Sequence, residues 1–430
     1  MDTLFEFFSF NDPNVLIVTL GTFFLGAISA TTGCFAFLRK RSLVGDAVAH
    51  AILPGIALAF MIGQEKNPLI LIIGALISGW IALLSIDHIS RNSKIKSDTA
   101  IGLVLSVFFG FGILLLTRIQ HSGAGNQAGL DKFLFGKAAS MSVQDVQTFA
   151  IVGLITLIIL SSFYKEFKLI SFNPDYASSV GLPVRTLEFF LSSLTVLAIT
   201  TGIQSVGVVL MAALLITPAA AARSWTHRLG SMILLSALFG AFAGLTGTYI
   251  SYTAPRMPTG PWVVMALSFF ALFSLVFAPK RGVLSRIRQQ RKNREKIITE
   301  NILKAMYQIG ETQGTQGEVV TEEVLQEKRS FLKREFSLGV RLLRKRLWII
   351  ESPEGWKLTT SGVTEASRVV RLHRLWEMYL NQKMNLQADH IHPNAETIEH
   401  IITPEIENEL IRELDRPERD PHDREIPYTS

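Results

Sequence analysis

Apolar residues along the chain gather into long runs near 14–38, 43–63, 68–86, 98–117, 146–163, 187–203, 204–222, 229–252 and 260–278. An α-helix crosses hydrocarbon with about 17–25 such residues, and most of these runs reach that length. The pattern predicts an α-helical polytopic membrane protein of eight or nine transmembrane helices. Alternate polar breaks carry most of the basic residues: Arg39/Lys40/Arg41, Arg91/Lys94/Lys96, Lys165/Lys168/Arg185, Arg223/Arg228 and Lys280/Arg281; the opposite breaks are poorer (Lys66; Arg256), with one longer exception holding Arg118, Lys132 and Lys137. The basic set is expected to face the cytoplasm, which puts the N-terminus outside, the C-terminal region inside and the chain in the cell membrane.

Past Lys280 the pattern changes. Residues 1–280 hold 17 Lys/Arg and 12 Asp/Glu, whereas the shorter stretch 281–430 holds 25 and 24. The predicted organisation is a transmembrane domain at 1–280, a basic juxtamembrane linker at 281–296, a winged helix-turn-helix at 297–365 and a helical domain at 366–430. The linker has seven basic residues against Glu295 and suits anionic lipid, with helical rather than flexible character because it has no Pro and only Gly282. Helical patterns follow at 297–309, 319–328 and 331–346, and "LWIIESPEGWKLTTSG" alternates about a turn as two strands of a wing do. Arg334, Arg341, Arg344, Lys345 and Arg346 fall on or beside the recognition helix, where contact with DNA phosphate is expected. A protein-contact surface is the other reading of that helix.

Ionisable residues inside apolar runs are costly and mark candidate chemistry. Asp46 and His50 stand four apart in "RKRSLVGDAVAHAILPGIALAFMIG", hence on one helical face. One carboxylate and one imidazole suit Mn²⁺, Fe²⁺ or Zn²⁺ better than Ca²⁺ or Mg²⁺. The competing reading makes Asp46 a helix cap and His50 a satisfied interior histidine. In the break "YKEFKLISFNPDYASSVGLPVRTLEFF", Asn173-Pro174 starts a short helix over Asp175–Val180, and Gly181, Leu182 and Pro183 stop it. Such a helix suits contact with a cytoplasmic partner. Gly129…Gly136-Lys137 has the wrong spacing for a phosphate loop and Ala138 where Ser or Thr would meet magnesium, so ATP energy is expected from another chain. Cys34 is the sole cysteine, which excludes an internal disulfide and a multi-cysteine zinc site.

In the tail, His373 and Glu377 share a helical face in "RVVRLHRLWEMYL". In "HIHPNAETIEHIITPEIENEL", His392, Glu396, Glu399 and His400 stand at spacings of four, three and one. Two such sets suit a divalent transition metal.

"GCFAFLRKRSLVGDAVAHAILPGIALAF", "SDTAIGLVLSVFFGFGILLL", "LDKFLFGKAASMSVQDV" and the stretches 177–222 and 227–252 resemble the permease subunits of ABC importers for manganese, zinc and iron(II). The resemblance covers essentially all of 14–278. It implies that Asp46 and His50 line the metal path and that Pro174–Leu187, with Pro174, Asp175, Gly181, Leu182 and Pro183, docks on an ATP-binding subunit. It also implies a second permease copy and an extracytoplasmic metal-binding protein. Residues 297–427 resemble the iron- and manganese-dependent repressors of the diphtheria toxin repressor family. That places His373, Glu377, His392, Glu396, Glu399 and His400 on metal-sensing positions, Glu396 where relatives vary between Cys and an acid. Manganese-binding relatives supply an acid one turn before a Tyr on the first helix, and here Lys304 precedes Tyr307. A lysine there would repel a metal. The overall expectation is an importer permease with a metal-responsive tail. The alternatives are a membrane-anchored metal-dependent transcriptional regulator whose spans do not transport, and a tail that serves only dimerisation or docking.

Overall fold

The computed structural model describes residues 2–39, 41–63, 68–121, 136, 141–253, 257–315, 317–384, 398–400 and 402–428. The chain divides into two compact units, 1–286 and 287–430.

The first unit is helical throughout its described residues. A short α1 (Asp2–Ser9) precedes α2 (Pro13–Leu38), α3 (Ser42–Ala51), α4 (Leu53–Gly63), α5 (Pro68–Asn92), α6 (Ser97–His121), α7 (Val143–Ser162), α8 (Tyr164–Phe172), α9 (Pro174–Ser179), α10 (Val184–Trp225), α11 (Leu229–Thr253) and α12 (Thr259–Phe277). Among the described residues nine segments are long and apolar enough to cross a membrane, with α3 and α4 making one of them and α10 two. Each of the nine apolar runs of the sequence corresponds to one of these segments.

Helix α2 lies at the centre, packed on both α11 and α10. Small residues let it do so: a Cβ on Gly26 would stand 2.3 Å from the Gly240 carbonyl oxygen, so the two backbones touch. Hydroxyls join the same helices, with Thr22 Oγ1 3.1 Å from Thr248 Oγ1 and Ser236 Oγ donating to the Ala30 carbonyl at 3.0 Å.

Helix α10 is not one rod. Gly207 has φ 79° and ψ 169°, outside the helical basin and open chiefly to glycine. A Cβ on Gly202 would lie 2.4 Å from the Met211 sulfur. Nine residues along a straight helix span about 13 Å, so that approach requires the two arms to fold back on each other. The chain thus makes two consecutive spans with almost no connection between them.

The second unit begins along α13 (Val283–Gln313), followed by α14 (Glu322–Lys328), α15 (Lys333–Lys345), β1 (Ile349–Ser352), β2 (Gly355–Leu358), α16 (Thr360–Met384) and α17 (Pro404–Glu413). The strands pair antiparallel, Ile349 opposite Leu358 and Ser352 opposite Gly355, and form the expected wing. Helix α15 buries Phe336, Gly339 and Leu343, an i, i+3, i+7 face, against a core with Ile298, Ile302 and Leu325. Arg374, 1% exposed, ties the C-terminal stretch down through Asp420 at 3.4 Å and joins α16 to α13 through Glu311 at 2.6 Å.

Candidate functional site

Helix α3 begins at Ser42 with Arg41 as a cap residue that makes no side-chain cap bond, and no acid lies in its first turn. Asp46 therefore sits past the capping positions, and the reading of it as a helix cap falls. His50 Nε2 lies 3.7 Å from Asp46 Oδ1, and the side chains are 26% and 42% exposed. The His50 ring also meets Phe109 edge-on with centroids 5.0 Å apart. The helix is interrupted at Ile52 between α3 and α4, just after His50. Counted from Leu43, where the span begins, the two residues lie about 4 and 10 Å along it, toward the end flanked by Arg39 and Arg41. Among the described residues no three His, Cys, Asp or Glu side chains are placed to hold a metal ion, so none of them gives this pair a third ligand of those types. Asp98 opens α6 as a first-turn acid, and Asp87 pairs with Arg41 at 2.9 Å. His121, at the end of α6, bonds its own helix through the Thr117 carbonyl at 2.9 Å.

Helix α9 is short and explicit in its punctuation. Asn173 accepts from the Tyr176 backbone N–H at 3.0 Å, Pro174 takes the first helical position, and Gly181 turns the chain with φ +86°. Ala177 is buried, whereas Tyr176 and Val180 are 56% and 59% exposed. Just beyond it, Glu188 on α10 accepts from Arg91 at 2.7 Å and forms an ion pair with Arg39 at 2.8 Å, joining the end of α2, the end of α5 and the start of α10. Sequence reasoning missed this trio. The signal was Glu188 as the sole acid in the sequence of α10.

In the second unit, Lys304 of α13, His373 and Glu377 of α16 and Glu399 in the turn before α17 form one cluster, each 2–3% exposed. Lys304 Nζ lies 2.9 and 3.2 Å from the Glu399 oxygens and 2.9 Å from His373 Nδ1. His373 Nε2 is 3.1 Å from Glu377 Oε1, and its Nδ1 also contacts Glu399 Oε2. Burial disfavours charge on His373, but bonds to Glu377 and Glu399 outweigh it and hold its pKa above the ordinary value. Burial likewise opposes the Glu399 charge, and the His373 bond with the Lys304 ammonium outweighs it, holding that carboxyl below its ordinary value. A charged His373 donates Nδ1–H to Glu399, while a neutral one accepts from Lys304 at the same atom.

His400 turns instead to Glu300, Nδ1 to Oε2 2.7 Å, and Glu300 is approached by Arg368 at 3.5 Å and Lys296 at 3.8 Å. His392 and Glu396 lie outside the described residues. The described members of the expected sensing set do not fit a divalent ion as placed, because an ammonium is bonded to the atoms that would face it. Arg334, Arg341, Arg344, Lys345 and Arg346 are all exposed, with Arg344 paired to Glu351 and Arg346 stacked over Trp348 at 4.9 Å.

Compared with known families, residues 11–278 match the ABC 3 transport family. The chain belongs to the ABC 3 transport family. A second match, to the metal binding and dimerisation domain of iron-dependent repressors, covers 359–428 of this ABC 3 chain. The manganese transport system membrane protein MntC of Bacillus subtilis is 40% identical over 375 residues, covering 87% of this chain and 86% of that protein. The zinc transport system membrane protein TroC of Treponema pallidum is 43% identical over 66% of this chain and 95% of its own length. Among solved structures, PsaBC from Streptococcus pneumoniae in complex with Fab is 35% identical with a TM-score of 0.58, covering 65% of this chain and 97% of that one. This ABC 3 protein is a multi-pass membrane permease that carries a repressor-type domain on the same polypeptide. The match across the spans favours a transporter over a membrane-anchored regulator.

Proposed function

We propose that the chain is the permease of an importer that moves a divalent transition metal ion, manganese, zinc or iron(II), across the cell membrane. The supporting observation is Asp46 and His50 held together, partly exposed, on one face of a helix inside an apolar span. Two donors are too few for tight capture, which suits a site that must release its ion. A second permease copy bringing its own pair to a shared axis doubles the donors. The delivered ion comes from an extracytoplasmic metal-binding protein, and energy comes from an ATP-binding subunit that docks on Pro174, Asp175, Gly181, Leu182 and Pro183. The exposed Tyr176 and Val180 offer that subunit an apolar handle. The alternating basic breaks support an N-terminus outside and a cytoplasmic tail. Exposed Arg334, Arg341, Arg344 and Lys345 give the tail a surface fit for phosphate, so DNA is a partner to test by a mobility-shift assay.

The deciding experiment measures uptake of radioactive Mn²⁺ and Zn²⁺ in cells whose only copy carries Asp46→Ala and His50→Ala. Uptake is expected to fall to background while the protein still assembles with its ATP-binding subunit. Wild-type uptake by that variant defeats the site assignment.

A further inference from the structure

We propose that Lys304 is the resident cation of the tail: its ammonium takes the place and the structural task of a divalent metal, tying α13 to α16 and to the turn at 398–400, and leaves this repressor-type domain independent of metal.

The geometry carries the proposal. A metal site gathers lone pairs from separate elements onto one positive centre, and here the Glu399 carboxylate, together with Nδ1 of a neutral His373, faces Lys304 Nζ at 2.9–3.2 Å. Glu377 holds the far nitrogen of the same imidazole, as a partner outside the coordination shell does when it orients a ligand histidine. Buried charges persist where they are paired and hydrogen-bonded, and this cluster meets both conditions without an ion from solution. An ammonium on a covalent tether differs from a metal in one respect that matters: it cannot exchange. Its local concentration is fixed by the chain, so the link between α13 and α16 does not follow the metal content of the surroundings.

The neighbouring acid–imidazole pair has the same character. Glu300 and His400 meet at 2.7 Å, and the cations beside them are side chains, Arg368 and Lys296, the latter also donating to the His400 carbonyl at 2.6 Å. Basic side chains of the chain thus stand beside both acid–imidazole groups. This inference rests on the repressor-type match of the tail and not on the transport reading.

The test uses the full-length protein in lipid nanodiscs with Asp46→Ala and His50→Ala, so that the membrane pair adds no metal, and Mn²⁺ or Zn²⁺ alone as the probe in equilibrium dialysis. With Lys304 intact, no ion is expected to be retained at the cluster, and neither Mn²⁺ nor a chelator shifts hydrogen exchange in α13 and α16. Lys304→Asp is expected to gain about one ion per chain, lost again on adding His373→Ala. Because an aspartate there could unfold the tail, Lys304→Gln is the second variant: it should exchange faster in α13 and α16, and Mn²⁺ should slow it again. The proposal is overturned if the Lys304 protein retains an ion that His373→Ala removes, or if a folded Lys304→Asp protein gains none.

Discussion

Glu399 is a carboxylate with 2% exposure whose charge is answered by Lys304 at 2.9 Å and by His373. The consequences for pH carry opposite signs. Glu399 has its folded-state pKa lowered, so its contribution is present above the ordinary 4.5 and lost as pH falls through the folded value. His373 has its folded-state pKa raised, so its contribution is complete below the ordinary 6.5 and lost as pH rises through the folded value. Protection of α13 and α16 against hydrogen exchange, corrected for intrinsic rates, should therefore be greatest between those two values and decline on both sides; a flat profile excludes the coupling. A divalent ion placed 3.5 Å from the ammonium would be repelled by on the order of 10 kcal/mol at an effective dielectric of 20, a cost that a site without the lysine does not carry. Asp46 and His50 were legible in the sequence because a spacing of four is a local property of a helix. Lys304 was legible only as a misfit beside Tyr307. Its partners are 69 and 95 residues away, a separation on which helical periodicity is silent.

At the scale of elements, the short α9 is followed by a glycine turn at Gly181 and then by the ion pairs of Arg39 and Arg91 on Glu188. Replacing Gly181 by Ala forces a Cβ into φ +86° and should cost about 1 kcal/mol locally. Tyr176→Asp should weaken copurification with the ATP-binding subunit by roughly tenfold, about 1.4 kcal/mol, while leaving membrane insertion intact. Glu188→Ala leaves Arg39, whose side chain is 8% exposed, without that acid, and should lower the thermal midpoint through a loss on the order of 3 kcal/mol. The spans were readable because apolar runs and basic breaks are written along the chain. The fold-back at Gly207 was readable only as two runs abutting at 203–204, since Gln204, Ser205 and Gly207 set in a long apolar stretch make only a weak turn signature. Helix α13 extends from Val283, well upstream of the apolar pattern starting at 297, because the basic run has nothing to break a helix after Gly282.

For the molecule as a whole, the arrangement of basic breaks makes a directional prediction. Alkaline phosphatase fused after His121 should be active, and fused after Asn92 inactive; the reverse result inverts the orientation assigned to every span. Cys34, the one cysteine of the sequence, is completely buried beside Met232, its sulfur 3.8 Å from that residue's carbonyl oxygen. The native protein is therefore silent to water-borne maleimides. A single thiol introduced on α9, near Asp46 or on the wing can carry a spin label or fluorophore with no background to remove, and the membrane and tail units can be followed separately during turnover.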